Sequence, residues 1–248
     1  MNKNPETKSR EIVAQLQFHR EGGTVPDDFS LAKIKREIDL LIKVDPSTGY
    51  MVKGILYALI GEADKSIDNH NKSLLLQFRA DSYENYFTSL IALNKFPEAY
   101  KLAIDAITKS PGLPKFLEQG IRASYRVGNL AEMMELYQQY TKVMSHQEQK
   151  EDILSLVDDA ERLLSVGADP EQLAVMLTIV SKIAIPLNYI EVSPELLQHG
   201  EEYSLFITAN ITPEGASAAN DIVCDFLSEI ETSLVENFSL VFLSRDAA

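Results

Sequence analysis

Apolar residues recur every three to four positions along most of the chain, with polar positions between them, and this spacing predicts amphipathic helices. Ile12, Val13 and Leu16 mark a helix over Ser9 to Glu21 that ends at the breaker Gly22-Gly23-Thr24-Val25-Pro26. Ile34, Ile38 and Leu41 mark a second helix, which stops at Asp45-Pro46. From there to Ser145 the pattern comes in pairs of helical stretches separated by Gly61, Asn94 and Gly128, which are 33 and 34 residues apart. A period of that length is the signature of a helix-turn-helix array, in which no single pair buries its apolar face and stacking neighbours supply the core.

After Ser145 the period is lost. Glu148 to Ser165 predicts a capping helix with Ile153, Leu156, Val157, Ala160 and Leu164 on one stripe, and with Glu151, Asp152, Asp158, Asp159 and Glu161 towards water. Asp169-Pro170-Glu171-Gln172 is a strong helix start, and the helix that follows is apolar nearly all round, so it belongs in an interior. Asn188 to Val192, Tyr203 to Ile211 and Phe238 to Leu243 are expected as strands. Thr212-Pro213 opens a helix with Ala219, Ile222, Val223, Phe226, Leu227 and Ile230 on its inner stripe. The tail is expected to be a small α+β unit in the order helix-strand-strand-helix-strand, with a mixed or antiparallel sheet covered by helices on one side.

The residues around the three anchors resemble the tetratricopeptide repeat (TPR) family. Tyr50, Gly54 and Tyr57 precede Gly61, and Ser66, His70 and Ser73 follow it. Tyr83, Phe87 and Leu90 precede Asn94, followed by Ala99, Ala103, Ala106 and Pro111. Leu117, Ile121, Gly128, Met133, Tyr137 and Tyr140 make a looser third copy. Departures from the family pattern are Lys53 where Leu is usual, His70 in place of an aromatic, and Met133 in place of a small residue. The resemblance covers about residues 30–145. It implies a mostly α fold: a short right-handed helical solenoid over 1–147, with degenerate N-terminal helices, joined to the capping helix and small α+β unit over 148–248.

It also implies a concave face lined by the first helix of each pair, taking an extended peptide or an amphipathic helix of a partner protein. The family's groove positions fall on Met51, Ile55, Leu59, Glu84, Asn85, Thr88, Arg122 and Tyr125, with Ile91, Glu118 and Gln119 beside them. One subset of the family grips a C-terminal carboxylate with five polar donors. The matching positions here are Met51, Ile55, Asn85, Lys115 and Gln119, of which only Asn85 and Lys115 fit, so that clamp is not expected. An alternative is that the chain's own first helix lies in the groove and closes it. Arg122 and Arg126, one turn apart, read as a solvated face or as a binding pair for phosphate or an acidic partner.

Charge divides the chain unevenly. Residues 148–248 hold nineteen Asp and Glu against four Lys and Arg, a net of −15, while the whole chain carries −14. Such a surface repels nucleic acid and anionic membranes and attracts basic partners, so an antitoxin-like or immunity-type neutraliser of a basic effector is an alternative function. Chemistry is hard to find. Phosphate-binding glycine loops, nucleophile elbows and paired zinc-binding histidines are absent from the sequence, and His19, His70, His146 and His199 are widely spaced. No catalytic residue, cofactor or metal is therefore expected, and an enzyme with its site in the tail is the third alternative. Cys224, the single cysteine, is expected to be a buried inert thiol, and its solitude together with the lack of a signal peptide pattern points to the cytoplasm.

Overall fold

The computed structural model describes residues 5–165, 169–184, 192–199, 202–209, 211–230 and 238–244. Ten helices come first: α1 (Pro5–Glu21), α2 (Asp28–Val44), α3 (Pro46–Leu59), α4 (Ala63–Leu76), α5 (Ala80–Ala92), α6 (Phe96–Lys109), α7 (Pro114–Arg126), α8 (Leu130–Val143), α9 (Glu151–Ser165) and α10 (Pro170–Ala184). They are followed by β1 (Val192–His199), β2 (Glu202–Ala209), α11 (Pro213–Ser228) and β3 (Phe238–Ser244). The fold is mostly α with a small α+β part, in the predicted order. Among the described residues no helix is long and apolar enough to cross a membrane.

The helix pairs share one turn. Gly61, Asn94 and Gly128 all have positive φ (77°, 56° and 73°), and so does Gly23 (60°) at the end of α1. In each case the turn residue's N–H bonds the carbonyl three back and the next N–H bonds the carbonyl five back, at 2.8 to 3.1 Å. This is the Schellman ending, which requires the left-handed conformation that glycine and asparagine tolerate best. Gly23 therefore marks α1 and α2 as a further pair, with a longer connection than the others.

Packing divides the chain into two compact units, Met1–Leu102 and Ala103–Ala248, with the division inside α6. In the first unit α3 packs against α2, α4, α5 and α1. Ile12, Leu16, Ile34, Ile38, Leu41, Met51, Val52 and Leu56 form its apolar cluster. Helices α3 and α4 approach closely enough for Ser66 Oγ to donate to the Gly54 carbonyl at 2.9 Å. His70, where the repeat pattern has an aromatic, keeps the aromatic role: its ring stacks on Tyr86 with centroids 4.8 Å apart and planes 12° from parallel. Gly54 makes room for it, since a Cβ there would lie 2.5 Å from His70 Cδ2.

In the second unit one apolar cluster runs from Leu117 and Ile121 on α7, through α8, α9 and α10, to Leu205, Ile207, Leu240 and Phe242 in the sheet. The charge boundary expected at residue 147 therefore crosses a continuous core and does not follow a seam in the packing. The sheet order is β1-β2-β3, with β1 and β2 antiparallel and β2 and β3 parallel. Burial alternates along β3, with Phe238, Leu240, Phe242 and Ser244 inward. Asn220 on α11 fastens the helix to the strand, donating to the Phe242 carbonyl at 3.0 Å and accepting from its N–H at 2.8 Å.

Several local expectations are corrected. The first strand lies at Val192–His199, downstream of the expected 188–192, of which 188–191 fall outside the described residues. Pro194 disguised it, since proline is tolerated only in an edge strand such as β1. On α9 the buried stripe is Ile153, Val157, Ala160 and Leu163, so Leu164 is exposed and Asp159 is buried. On α11 Ala216, Ala219 and Val223 are buried, and Phe226 and Leu227, with Ile230 just beyond the helix, pack partly buried against the same core as expected, whereas Ile222 is exposed. Cys224, about 100° round from Val223, is exposed and not buried as expected.

Candidate functional site

In the first unit, the first helices of three successive pairs, α1, α3 and α5, line two hollows. One, of about 240 Å³, lies among Leu16, Val25, Ile55, Leu59, Ser89 and Ala92, with Thr88 and Gln17 at its wall. The other, of about 700 Å³, lies among Arg10, Asp45, Thr48, Met51, Arg79 and Asn85, with Glu6, Gln17 and Asp81 also lining it. Five residues picked out by the sequence meet here: Ile55, Leu59 and Thr88 at the smaller hollow, and Met51 and Asn85 at the larger. Glu84, on α5, lines neither.

Helix α1 lies along this face. It packs on α2 and α3, through Ile12, Leu16 and Val13, and provides one wall as α5 provides another. The expectation that α1 is the degenerate partner of α2 fits its packing on α2, while its contact with α3 lies against the cluster that holds Met51, Ile55 and Leu59. Each fully buried aliphatic side chain at the junction contributes about 1.5 to 3 kcal/mol, and Lys8 on α1 pairs with Glu37 on α2 at 3.0 Å.

The two hollows differ chemically. The smaller is floored by aliphatic groups. The larger is held by ion pairs: Arg79 forms two bonds to Asp81, at 3.0 and 2.8 Å, and a third to Thr48 Oγ1 at 3.3 Å. Its hydrogen bonds with Asp81, against the opposing effect of burial, hold the guanidinium above its ordinary pKa, and the neighbouring charges of Asp81, Asp45 and Glu6 act the same way. Arg10 pairs with Glu6 at 2.6 Å. Asn85 Nδ2 donates to the Asp81 carbonyl at 2.7 Å and lies 3.5 Å from Met51 Sδ, so it braces α5 against α3. The arginines of this hollow are already engaged within the chain, which leaves a polar lining without a vacant cationic clamp.

The remaining expected residues lie in the second unit, where α7 faces α9. Arg122 binds Asp152, so it is not the solvated charge that its spacing suggested. Glu118, buried, accepts from Tyr140 Oη at 3.2 Å and from Lys150 Nζ at 2.6 Å. Tyr125 is half-buried against the core, and burial followed by the nearby Asp159 charge pushes its hydroxyl pKa well up. Arg126 is lowered by burial and by the like charge of Arg122. Lys115 is exposed in the first turn of α7. Burial raises the Asp159 carboxyl despite its bond and charge pairing with Arg162. Arg122 and Asp152 tie α7 to α9, and Glu118 ties α7 to Tyr140 on α8 and to Lys150 just ahead of α9.

The sequence reading missed Ser89 and His70 as part of the site. His70 is buried, its Nε2 lies 2.9 Å from Ser89 Oγ, and its Nδ1 has no hydrogen-bond partner. Burial lowers its pKa to about 3, so the ring is neutral at physiological pH. The signal was the polar ring at an aromatic position of the repeat. Among the described residues no group of three or more His, Cys, Asp or Glu is arranged to hold a metal ion. Comparison of the chain with family models, with curated proteins and with solved structures finds no match in any of the three.

Proposed function

We propose that the chain is a TPR-like, non-enzymatic interaction module of the cytoplasm, taking a peptide or helix of a partner protein on the face formed by α1, α3 and α5. The observation that carries the reading is the pair of hollows along that face, with Met51, Ile55, Leu59, Asn85 and Thr88 at their walls. The three consecutive first helices, each ended by the same positive-φ turn, support the family resemblance. An aliphatic hollow beside a polar one suits a partner segment that presents an apolar side chain next to hydrogen-bonding groups. Such a module acts by holding its partner, without chemistry of its own.

The test is substitution in the full chain. Ile55→Asp and Asn85→Lys place charge at the two hollows, and capture of partners from native lysate is compared with the unchanged protein. Helical content by circular dichroism is expected to be retained and capture to be lost. Capture that survives both changes places recognition elsewhere.

A further inference from the structure

Helix α2 buries Ile34, Ile38 and Leu41 in the apolar cluster of the first unit and turns a second organised face outward. Phe29, Lys33, Arg36, Leu40, Lys43 and Val44 fall within about 100° of one another around the helix, away from the buried residues. Phe29, Leu40 and Val44 are 82, 54 and 65 % exposed, so they form an apolar stripe that nothing in the chain covers among the described residues. The acids flanking the stripe are taken: Glu37 pairs with Lys8 at 3.0 Å and Asp39 with Lys53 at 2.9 Å. Lys33, Arg36 and Lys43 form no ion pair among the described residues, which leaves three unanswered positive charges interleaved with apolar groups. Helix α11 is the converse. Opposite its buried Ala216, Ala219 and Val223, the residues Glu214, Ala218, Asp221 and Asp225 fall within about 60° of one another, with the exposed Ile222 at their edge. The helix has no Lys or Arg, and these three acids form no ion pair among the described residues. Helix α9, also acidic, differs, since Arg162 interrupts it and Asp152 already binds Arg122.

We infer that the outer face of α2 binds the outer face of α11 from a second copy of the chain, with the two helices antiparallel and Lys33, Arg36 and Lys43 set against Asp225, Asp221 and Glu214. The spacing fits as well as the sign. Along α2 the cations stand about 4.5 and then about 10.5 Å apart, and along α11 taken backwards the acids stand about 6 and then about 10.5 Å apart. Leu40 and Ala218 each lie about 10.5 Å from the first charge of their series, so a large side chain meets a small one and the axes can close to about 8 to 10 Å. A parallel arrangement leaves the charges out of step by about 4 Å or more at both ends. Charge thus fixes the direction of the pair, and Leu40 against Ala218 supplies the apolar contact at its centre. Because the two faces differ, the association is head-to-tail, and each copy keeps one face of each kind for a further neighbour. This interface is separate from the groove, whose hollows are lined by neither α2 nor α11.

Sedimentation velocity of the full chain tests this through a charge swap. The unchanged protein is expected to gain mass with concentration between about 10 µM and 1 mM in low salt, and to return to a monomer at about 0.5 M salt, where screening is short-ranged. One variant carries Lys33→Glu, Arg36→Glu and Lys43→Glu, and a second carries Glu214→Lys, Asp221→Lys and Asp225→Lys. Each alone presents two faces of one sign and is expected to remain a monomer. An equal mixture is expected to associate again, since each reversed face meets its complement on the other variant. A monomeric unchanged protein, a variant that self-associates like the unchanged one, or a mixture that stays monomeric overturns the inference. Circular dichroism checks that both variants keep their helices. Should one of them unfold, Leu40→Asp alone is expected to abolish association at low salt, and undiminished association there overturns the inference too. A monomer that instead sediments with phosphatidylserine vesicles, and loses them on reversal of Lys33, Arg36 and Lys43, gives the α2 face to a lipid surface and likewise overturns it.

Discussion

The junction of α1 with α3 and that of α7 with α9 occupy equivalent places, each setting the first helix of one pair beside the first helix of the next. Their chemistry is opposite. In the first unit the contact is aliphatic, made by Ile12, Val13 and Leu16 with the cluster that contains Met51 and Ile55, and hollows open along the face. In the second, Lys150 reaches Glu118 and Asp152 reaches Arg122, and the positions that resemble a binding groove are spent on internal pairs. The aliphatic contact holds α1 on α3 through apolar side chains, while the arginines lining the larger hollow pair with carboxylates of the chain. A junction built from ion pairs uses up the groove positions themselves. Groove residues inferred from a family pattern are therefore available only where the neighbouring helix does not claim them.

The comparison is broken most directly from the apolar side. Ile12→Asp buries a carboxylate without a partner in the first cluster, and is expected to destabilise that unit by about 3 kcal/mol or more, seen as early loss of hydrogen-exchange protection in α1 to α3 with the second unit unaffected. Acidification sharpens it. The folded pKa of His70, about 3, lies below its unfolded value near 6.5, so the unfolded state binds the extra proton and stability falls as pH drops from about 6.5 towards 3. Burial raises the Asp152 carboxyl, but its bond to Arg122 and the charges of Arg122 and Lys150 bring it below the ordinary value, so its contribution persists until pH falls below that range. The first unit is thus expected to loosen first in an acid titration followed by region, and His70→Phe to flatten that loss.

Glu118→Ala has a smaller expected effect, about 1 to 2 kcal/mol by chemical denaturation, because Tyr140 Oη loses the acceptor for its proton and keeps its bond with the Lys150 backbone, while the Lys150 side chain is half exposed and regains water. The smallest effect is expected at Cys224: its exposed thiol should react with a water-soluble disulfide reagent in the native protein, with little change in melting temperature. A native protein that resists labelling until unfolded contradicts that placement.

Much of the fold was legible because its strongest determinants are local. Gly61, Asn94 and Gly128 announce the repeat, since a left-handed turn admits few residue types. Gly23 carries the same turn but was hidden inside a longer linker, and the pair it joins was visible only by its stripes. Asp159 and Leu164 were misplaced by one helical step, because a rotation of 100° decides burial and composition alone does not choose between adjacent stripes. Pro194 concealed β1, whose pairing depends on a strand supplied later in the chain. Of the candidate site, Met51, Ile55, Leu59, Asn85 and Thr88 followed from the family pattern. Arg122 did not behave as expected, since Asp152 lies thirty residues away in sequence and nothing local reveals the pairing. Ser89 and His70 emerged only when burial showed which polar atoms had partners.

Gly128 has a further consequence for how the tail can be handled. A Cβ at that position would lie 2.1 Å from Ala174 Cα, so the backbone of α10 rests directly on the turn between α7 and α8. The acidic segment is not a passenger that can be trimmed away or grafted onto another array. Cutting at residue 147 would leave two fragments with raw apolar faces, and dissection of this chain has to respect that seat.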